Sequence, residues 1–374
     1  MRRLRICQLI TELGLAGAER GVYELSRRLD RGRFDVRVVA LRGGRIADWL
    51  AAAGIRVTVL GVRGKWDVIK LPRLTELLRR ERIDLLHTHL FHADLAGRPA
   101  ARAAPVRHLV HTVWTAEGRF RPWQFAYGRF MSGSCDRIVC LAESVREFHA
   151  RRSGLPKQMY TVIPWGIDVK AFSRDARSRR RLRAKWSIAD DDVLVAYVGR
   201  LEFYKGVDTL LAAMSHLAAR GNPIHLVIAG DGSRRSIVEN FISHGEGGRH
   251  TRLLGFVEDV RGVYSAADIY VMPSLWEGWG LALGEAMSAR LPAVGTNVPG
   301  IRDLLVHEET GLLIEREDAV ALAESIERLA DDADLRERLG RAGRKRIAAE
   351  FPIDAAVAAH EALYTEVAGE AQDD

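Results

Sequence analysis

The sequence predicts an α/β protein built from two doubly wound parallel sheets. Its 374 residues exceed the roughly 250 that a single hydrophobic core organises, so two domains are expected. Short apolar runs alternate with stretches of helical periodicity along the chain, which is the signature of βαβ units. Several of those runs end in glycine-bearing turns, and open α/β sheets place ligands at such strand ends.

In the first half, strands are expected at 4–10, 34–41, 56–60, 84–88, 107–112, 136–141 and 160–163, with helices such as 18–29, 71–82 and 143–152 between them. The second half repeats the scheme with strands at 193–198, 224–229, 251–254, 268–272, 292–295 and 311–314. Helical stretches follow at 319–330, 334–350 and 353–367, and Pro352 separates the last two because it cannot continue a helix. The stretch 170–192 is basic, poor in apolar residues and contains Arg179-Arg180-Arg181, so it reads as the join. The expected organisation is an N-terminal domain over 1–170, a linker over 171–192, a second domain over 193–350 and a terminal helix within 351–374.

Composition, 47% hydrophobic and 28% charged, is that of a soluble globular protein. No apolar run approaches the roughly 18 residues of a membrane span. The start imitates a signal peptide, but Glu12 interrupts the apolar region early, and 4–10 reads as a first strand. Three cysteines, Cys7, Cys135 and Cys140, lack metal-ligand spacing and suit a reducing cytoplasm. Residues 1–180 hold 35 Lys+Arg against 17 Asp+Glu, a net of +18, while the remainder is at −11. A basic first half suits an anionic partner, for which membrane phospholipid, a polyanionic glycan and nucleic acid are candidates. An arginine-rich but merely solvated surface explains it equally well.

The stretch from Pro273 to Met287 carries the most chemistry. Two glycines in Trp276-Glu277-Gly278-Trp279-Gly280 follow an apolar run, which reads as strand, tight turn, then a helix over about 280–289. Glu277 falls in the turn and Glu285 in the helix. On one continuous helix that spacing separates the backbones by about 12 Å, so an acid and nucleophile couple requires the turn to fold back. Two hydroxyl-binding carboxylates fit more naturally, with the free N–H groups near Gly280 and Leu281 offering an anion site between them. Glutamates placed for the helix dipole are the plainer reading.

Arg200, at the end of a strand, and Lys205, at the opening of the next helix, suit a diphosphate, the planar fork and the point charge together stabilising a leaving group. Gly230-Asp231-Gly232 repeats the glycine-loop logic at another strand end. The early loop with Gly14, Gly17 and Gly21 can bring N–H groups to a phosphate, though it lacks the dinucleotide fingerprint. His87, His89, His92, His108 and His111 lack acidic partners at ligand spacing, which favours packing or cleft lining over a metal site. Trp114, Trp123, Trp165, Trp276 and Trp279 fall in expected loops, where they stack on sugars or anchor turns.

Glu277 and Glu285 with seven residues between, Gly199-Arg200-Leu201 followed by Lys205-Gly206, Gly230-Asp231-Gly232, Leu254-Gly255-Phe256 and Gly17-Ala18-Glu19 occur in that family's order, and the chain resembles the retaining GT-B-fold glycosyltransferases of family 4. The resemblance spans nearly the whole chain. It implies two Rossmann-like domains facing across a cleft, the nucleotide sugar held mainly by the C-terminal domain and the acceptor by the N-terminal one, and a last helix that crosses back to the first domain. It further implies that Arg200 and Lys205 bind the diphosphate, Glu277 the sugar hydroxyls and Glu285 the ribose. Gly280 and Leu281 would meet sugar and phosphate, Gly17 the diphosphate from the other domain, and the backbone at Phe256 the base. Gly230, Asp231 and Trp279 join the nucleotide-sugar set, and family members usually need no bound metal.

Three positions depart from the family pattern: Thr112-Val113-Trp114 stands where Thr-x-His is common, Trp165-Gly166 where Asn-Gly is usual, and Ala16-Gly17 where Gly-Gly is common. An indole cannot accept a proton, so a histidine role at 114 is lost unless His111 substitutes. The expected function is a cytoplasmic glycosyltransferase that moves a sugar from a nucleoside diphosphate donor to a glycan or lipid-linked acceptor with retention, in polysaccharide biosynthesis. Transient peripheral contact with an anionic membrane is expected of the basic half. The alternatives are a non-catalytic nucleotide-sugar or polyanion-binding protein, or an epimerase or phosphorylase on the same fold. Nucleic acid is disfavoured, since no recognised motif accompanies the charge.

Overall fold

The computed structural model describes residues 2–62, 64, 71–115, 120–221 and 224–369. The chain divides into two compact units, Met1–Trp165 with Asp354–Asp374, and Gly166–Ile353.

In the first unit the strands are β1 (Leu4–Glu12), β2 (Phe34–Arg42), β3 (Arg56–Val59), β4 (Leu85–His89), β5 (His108–Val113), β6 (Arg137–Cys140) and β7 (Tyr160–Val162). Between them run α1 (Gly17–Arg28), α2 (Ile46–Ala52), α3 (Leu71–Arg80), α4 (Phe91–Ala103), α5 (Pro122–Phe130) and α6 (Glu143–Ser153). The strands pair in the order β3-β2-β1-β4-β5-β6-β7, every pair parallel. Helices on both faces cover the central strands, and β4 and β5 are buried along their whole length.

Those two strands nonetheless carry His87, Thr88, His89, His111 and Thr112, all buried, and buried polar groups require partners. The indole N–H of Trp114 donates to Nδ1 of His89 at 3.2 Å, which leaves the His89 proton on Nε2, facing Oε1 of Gln8 at 2.6 Å. The Gln8 amide donates to the Tyr364 hydroxyl at 3.0 Å, that hydroxyl lies 2.6 Å from Nδ1 of His87, and Nε2 of His87 reaches Oγ1 of Thr112 at 2.6 Å. An indole only donates, so it sets the direction of the bonds from His89 through Gln8 to Tyr364. The Trp114 ring also fills the space beside Gly21, where a side chain would meet it at 2.1 Å, and it packs against Trp165 with centroids 5.4 Å apart.

The second unit contains α7 (Ala176–Trp186), β8 (Leu194–Val198), α8 (Val207–Ala219), β9 (His225–Ala229), α9 (Arg235–His244), β10 (Thr251–Gly255), α10 (Arg261–Ala266) and β11 (Ile269–Met272). It continues with α11 (Leu281–Ser288), β12 (Ala293–Thr296), α12 (Ile301–Leu304), β13 (Leu312–Ile314), α13 (Ala319–Asp331) and α14 (Ala333–Glu350). Its parallel sheet has the order β10-β9-β8-β11-β12-β13. The last helix, α15 (Ile353–Gly369), lies with the first unit from Asp354 onward, held there by Tyr364 and by Arg137–Glu366 at 3.0 Å.

The stretch 171–192, expected as a linker, carries the helix α7, which lies within the second unit. Its apolar content is low because arginines do the packing. Arg183, with a fully buried side chain, donates to Asp268 at 3.0 Å and to the Ala266 carbonyl at 3.1 Å, and Arg179 meets Asp268 at 2.8 Å. These bonds satisfy the C-terminal end of α10.

Where the chain enters and leaves the second unit, Ile167 bridges Pro352, with Ile167 N–H donating to the Phe351 carbonyl at 2.8 Å and Ile353 N–H to the Ile167 carbonyl at 3.1 Å. A Cβ at Gly166 would sit 2.3 Å from Cα of Ile353, so only glycine fits there, whatever precedes it.

The polar network of the first unit makes stability depend on pH. Burial, then the neighbouring histidines, hold His87 and His89 well below the ordinary imidazole range, and burial lowers His360 and His149 to about 4. Unfolded imidazoles titrate near 6.5. The unfolded chain therefore binds more protons below that value, so this contribution is complete above pH 6.5 and declines as pH falls, by about 1.4 kcal/mol per pH unit for each group. Thermal unfolding recorded from pH 7.5 to 4.5 is expected to show a steeply falling midpoint. Tyr364→Phe strands two buried partners and is expected to cost about 1–3 kcal/mol, read as a lowered midpoint at neutral pH.

Candidate active site

The winding of the second sheet reverses between β8 and β11, and doubly wound sheets bind ligands at the carboxyl ends of strands beside such a reversal. The loop after β8 carries Arg200 and Lys205, and the loop after β11 carries Glu277 and Gly280. The two loops are locked together. Gly206 has φ +68° and a Cβ there would lie 1.8 Å from the Pro273 carbonyl oxygen, while Leu275 N–H donates to the Tyr204 carbonyl at 2.8 Å. The rings of Tyr204 and Trp276 stack at 5.4 Å and 14°.

On this platform Nζ of Lys205 is hydrogen-bonded and ion-paired with Oε2 of Glu277, each side chain 16% exposed. Arg200 bonds to the Tyr204 hydroxyl, and both cations approach the Tyr204 ring, each 5.6 Å from its centroid. Tyr197 in turn donates to the Arg200 carbonyl at 2.9 Å. Two cations and one carboxylate thus converge where the loops after β8 and β11 meet; Arg200 is exposed, whereas Lys205 and Glu277 are largely shielded from water, where charge interactions exceed those at an open surface.

Gly280, with φ +73°, caps α11, and Leu281 is its first residue. The leading N–H groups of a helix have no intrahelical acceptor, so this end favours an anion. Glu285 lies inside α11, buried, with Oε2 accepting from the Tyr264 hydroxyl at 2.9 Å. The neighbouring loops join by backbone bonds: Leu201 N–H to the Asp231 carbonyl at 2.9 Å, and Gly230 N–H to the Gly255 carbonyl at 2.8 Å. Asp231 itself accepts from Gly232 N–H at 2.8 Å and pairs with Arg235 at 2.9 Å. Phe256 is half exposed after β10.

One expected side chain is turned away from this cluster. The Trp279 ring is buried and packs edge-on against Phe351 at 5.1 Å, so its side chain anchors the turn and is not presented to a ligand. Gly17 belongs to the first unit, exposed at the first turn of α1. Trp114 and Trp165 pack on each other instead of standing free for a sugar. Sequence reasoning missed Tyr204 and Tyr264, although Tyr204 adjoins Lys205, and an aromatic beside a paired cation is itself a signal.

In the first unit a cavity of about 80 Å³ lies at the ends of β4 to β6, lined among others by Asp94, His111, Trp114, Phe125 and His149. Asp94 is held by Nε of the buried Arg98, 2.8 Å from each oxygen. Ligand sites typically enclose roughly 300–1,000 Å³, so this space by itself is too small for a sugar.

A cationic and carboxylate cluster at the reversal of one parallel sheet, in a chain with two such sheets, defines a GT-B glycosyltransferase. Residues 15–171 match Glycosyltransferase Family 4 and residues 178–346 match Glycosyl transferases group 1, and the chain belongs to this glycosyltransferase family. It is 27% identical over 333 residues to the UDP-Gal:alpha-D-GlcNAc-diphosphoundecaprenol alpha-1,3-galactosyltransferase of Escherichia coli, covering 85% of this chain and 86% of that protein. To the alpha-D-kanosaminyltransferase of Streptomyces kanamyceticus it is 30% identical over 235 residues, 62% and 60% of the two chains. Among solved structures, Anabaena HepE in complex with UDP and glucose superposes with a TM-score of 0.88 at 18% identity over 97% of this chain and 100% of that one. Sucrose-phosphate synthase from Thermosynechococcus elongatus gives 0.82 at 23% identity over 97% and 99%. At these identities the superpositions establish the fold.

Gly206→Ala forces either the Tyr204 loop or the Pro273 turn to move. It is expected to destabilise by about 2–4 kcal/mol, from overpacking plus left-handed strain, and to lower the midpoint of thermal unfolding by several degrees.

Proposed function

We propose that the chain transfers a sugar from a nucleoside diphosphate donor to an acceptor hydroxyl with retention, and that the acceptor is a lipid-linked glycan displayed on an anionic membrane surface. The observation that carries the reading is the meeting of Lys205 with Glu277 at the β8 and β11 strand ends, beside Arg200. The names of relatives support the substrates: the Escherichia coli protein is named for UDP-galactose and a diphosphoundecaprenol acceptor, and HepE was solved with UDP and glucose. Among the described residues no helix is long and apolar enough to cross a membrane, and surface contact through the basic half is the mode of attachment we favour.

In this reading the donor diphosphate draws Lys205 away from Glu277, and Arg200 grips the same phosphates with its planar fork. Glu277, released, accepts hydroxyls of the donor sugar. Glu285 takes the ribose, with Tyr264 orienting its carboxylate. The backbone at Phe256 meets the base, the loop Gly230-Asp231 borders the nucleotide, and the N–H groups at Gly280 and Leu281 face sugar and phosphate. The bond from the anomeric carbon to the diphosphate oxygen breaks as the acceptor oxygen attacks from the same face. The departing oxygen takes the acceptor's proton. Arg200, Lys205 and the start of α11 stabilise the separating charge, and neither glutamate acts as nucleophile.

Lys205→Ala is expected to lower kcat by about 10²–10³-fold in a transfer assay with a donor identified by thermal shift, the fold being retained; full transfer by the variant would sink the mechanism. Glu285→Gln is expected to weaken nucleotide binding by about tenfold or more, with the rate at saturating donor changed far less. Titration calorimetry with the nucleoside diphosphate separates the two effects. Donor binding with no transfer across an acceptor panel would instead indicate a non-catalytic binding protein.

A further inference from the structure

Helix α5 turns an apolar stripe toward solvent. Phe125 is buried, and with Gln124 and Gly128 it lines the cavity at the ends of β5 and β6. On the other side Trp123, Ala126 and Phe130 recur at intervals of three and four residues, which places them on one face of the helix. Phe130 is 86% exposed and Trp123 52%. The solvent face of a helix on a globular protein is ordinarily polar, and single exposed apolar residues are common, but two large aromatics aligned on one stripe are not.

Exposed cations lie beside the stripe in the chain and on the helix that packs against α5. Arg121, the N-cap of α5, and Arg129 within it are exposed, as are Arg151 and Arg152 at the end of α6 and Lys157 beyond it. Arg129 reaches the turn at Gly154, its Nη1 3.6 Å from where a Cβ would stand there. Of the acids on α6, Glu143 is paired with Arg146 at 2.5 Å, which leaves Glu147 against the five cations. We propose that α5 is the element that seats the first unit on an anionic bilayer, with Trp123 and Phe130 entering the interface and the flanking arginines meeting lipid phosphates. The proposal rests on the reading that the acceptor is displayed on such a surface.

The chemistry favours lipid over a second copy of the chain. A two-fold interface centred on α5 sets each arginine near its own symmetry mate, whereas an anionic surface neutralises them all at once. Tryptophan is the residue most suited to the headgroup region, and an amphipathic helix lying in that plane needs an apolar stripe edged by cations. Seating α5 this way also brings the wall of the cavity behind it to the membrane surface.

The test uses the full chain, sedimented with phosphatidylcholine vesicles with and without phosphatidylglycerol. Wild type is expected to bind only the anionic vesicles. Trp123→Ser with Phe130→Ser is expected to reduce that affinity by about tenfold or more. Arg121→Gln with Arg129→Gln is expected to reduce it by about fivefold per charge at low salt, while the stabilisation of every variant by bound nucleoside diphosphate stays as in wild type. Aromatic variants that bind anionic vesicles as wild type does would overturn the role of α5 and leave membrane display standing. Absence of wild-type binding would overturn both, and transfer to a soluble acceptor analogue would then show whether the transferase reading survives. A wild-type dimer that the aromatic variant dissociates, seen by sedimentation velocity, would assign the stripe to self-association and overturn the proposal.

Discussion

The parallel pairing of β8 with β11 is the constraint on which the candidate site depends. Ile269 lies opposite Val195 and Tyr270 opposite Ala196, so the loops after the two strands emerge side by side although some 70 residues separate them in the chain. Adjacent emergence alone does not fix side chains. The close approach of Gly206 to the Pro273 carbonyl, the bond from Leu275 to Tyr204 and the stack of Tyr204 on Trp276 remove the remaining freedom. Lys205 and Glu277 are thereby brought together by geometry, and with each side chain only 16% exposed their attraction is screened less than that of an open-surface pair.

The first unit treats the corresponding reversal, between β1 and β4, in the opposite way. Gln8 on β1 and His87 and His89 on β4 are joined to Tyr364 by neutral hydrogen bonds, and all are buried. A buried charge here would need desolvation and a counter-ion, and a neutral chain of directed bonds needs neither. The indole at 114 suits that design because it terminates the chain with a group that only donates. The indole at position 114 is therefore coupled to the tautomer of His89 and, through it and Gln8, to the seating of the last helix.

Much of this was legible in the sequence, for identifiable reasons. Strands of a parallel sheet buried on both faces are continuous apolar runs, so β1, β8 and β11 stand out at their positions within a residue or two. Glycines marked the openings of the helices that follow, Gly206 before α8 and Gly280 before α11. What was not legible depends on tertiary context. Arg183 has the composition of a linker residue and the burial of a core residue, because its guanidinium satisfies the carbonyl of Ala266 and the carboxylate of Asp268; no local pattern distinguishes the two. Trp279 lies between site residues in sequence but turns inward toward Phe351, and Tyr264 reaches Glu285 from a helix 21 positions earlier.

The Lys205–Glu277 pair also bears on how a site with two cations and a carboxylate would stay selective under the proposed function. A free lysine and a free arginine at a strand end would accept many anions. With Lys205 already paired, an anion has to replace the Glu277 carboxylate as its partner, and a single weakly charged group gains little by that exchange. A diphosphate gains more, since it engages Arg200 and the start of α11 at the same time. The displaced carboxylate, half shielded from water, then needs hydrogen-bond donors, and the hydroxyls of an attached sugar supply them. Under the proposed function, phosphate and sugar would thus satisfy each other's cost through one ion pair, and a ligand carrying both would be favoured over either part alone.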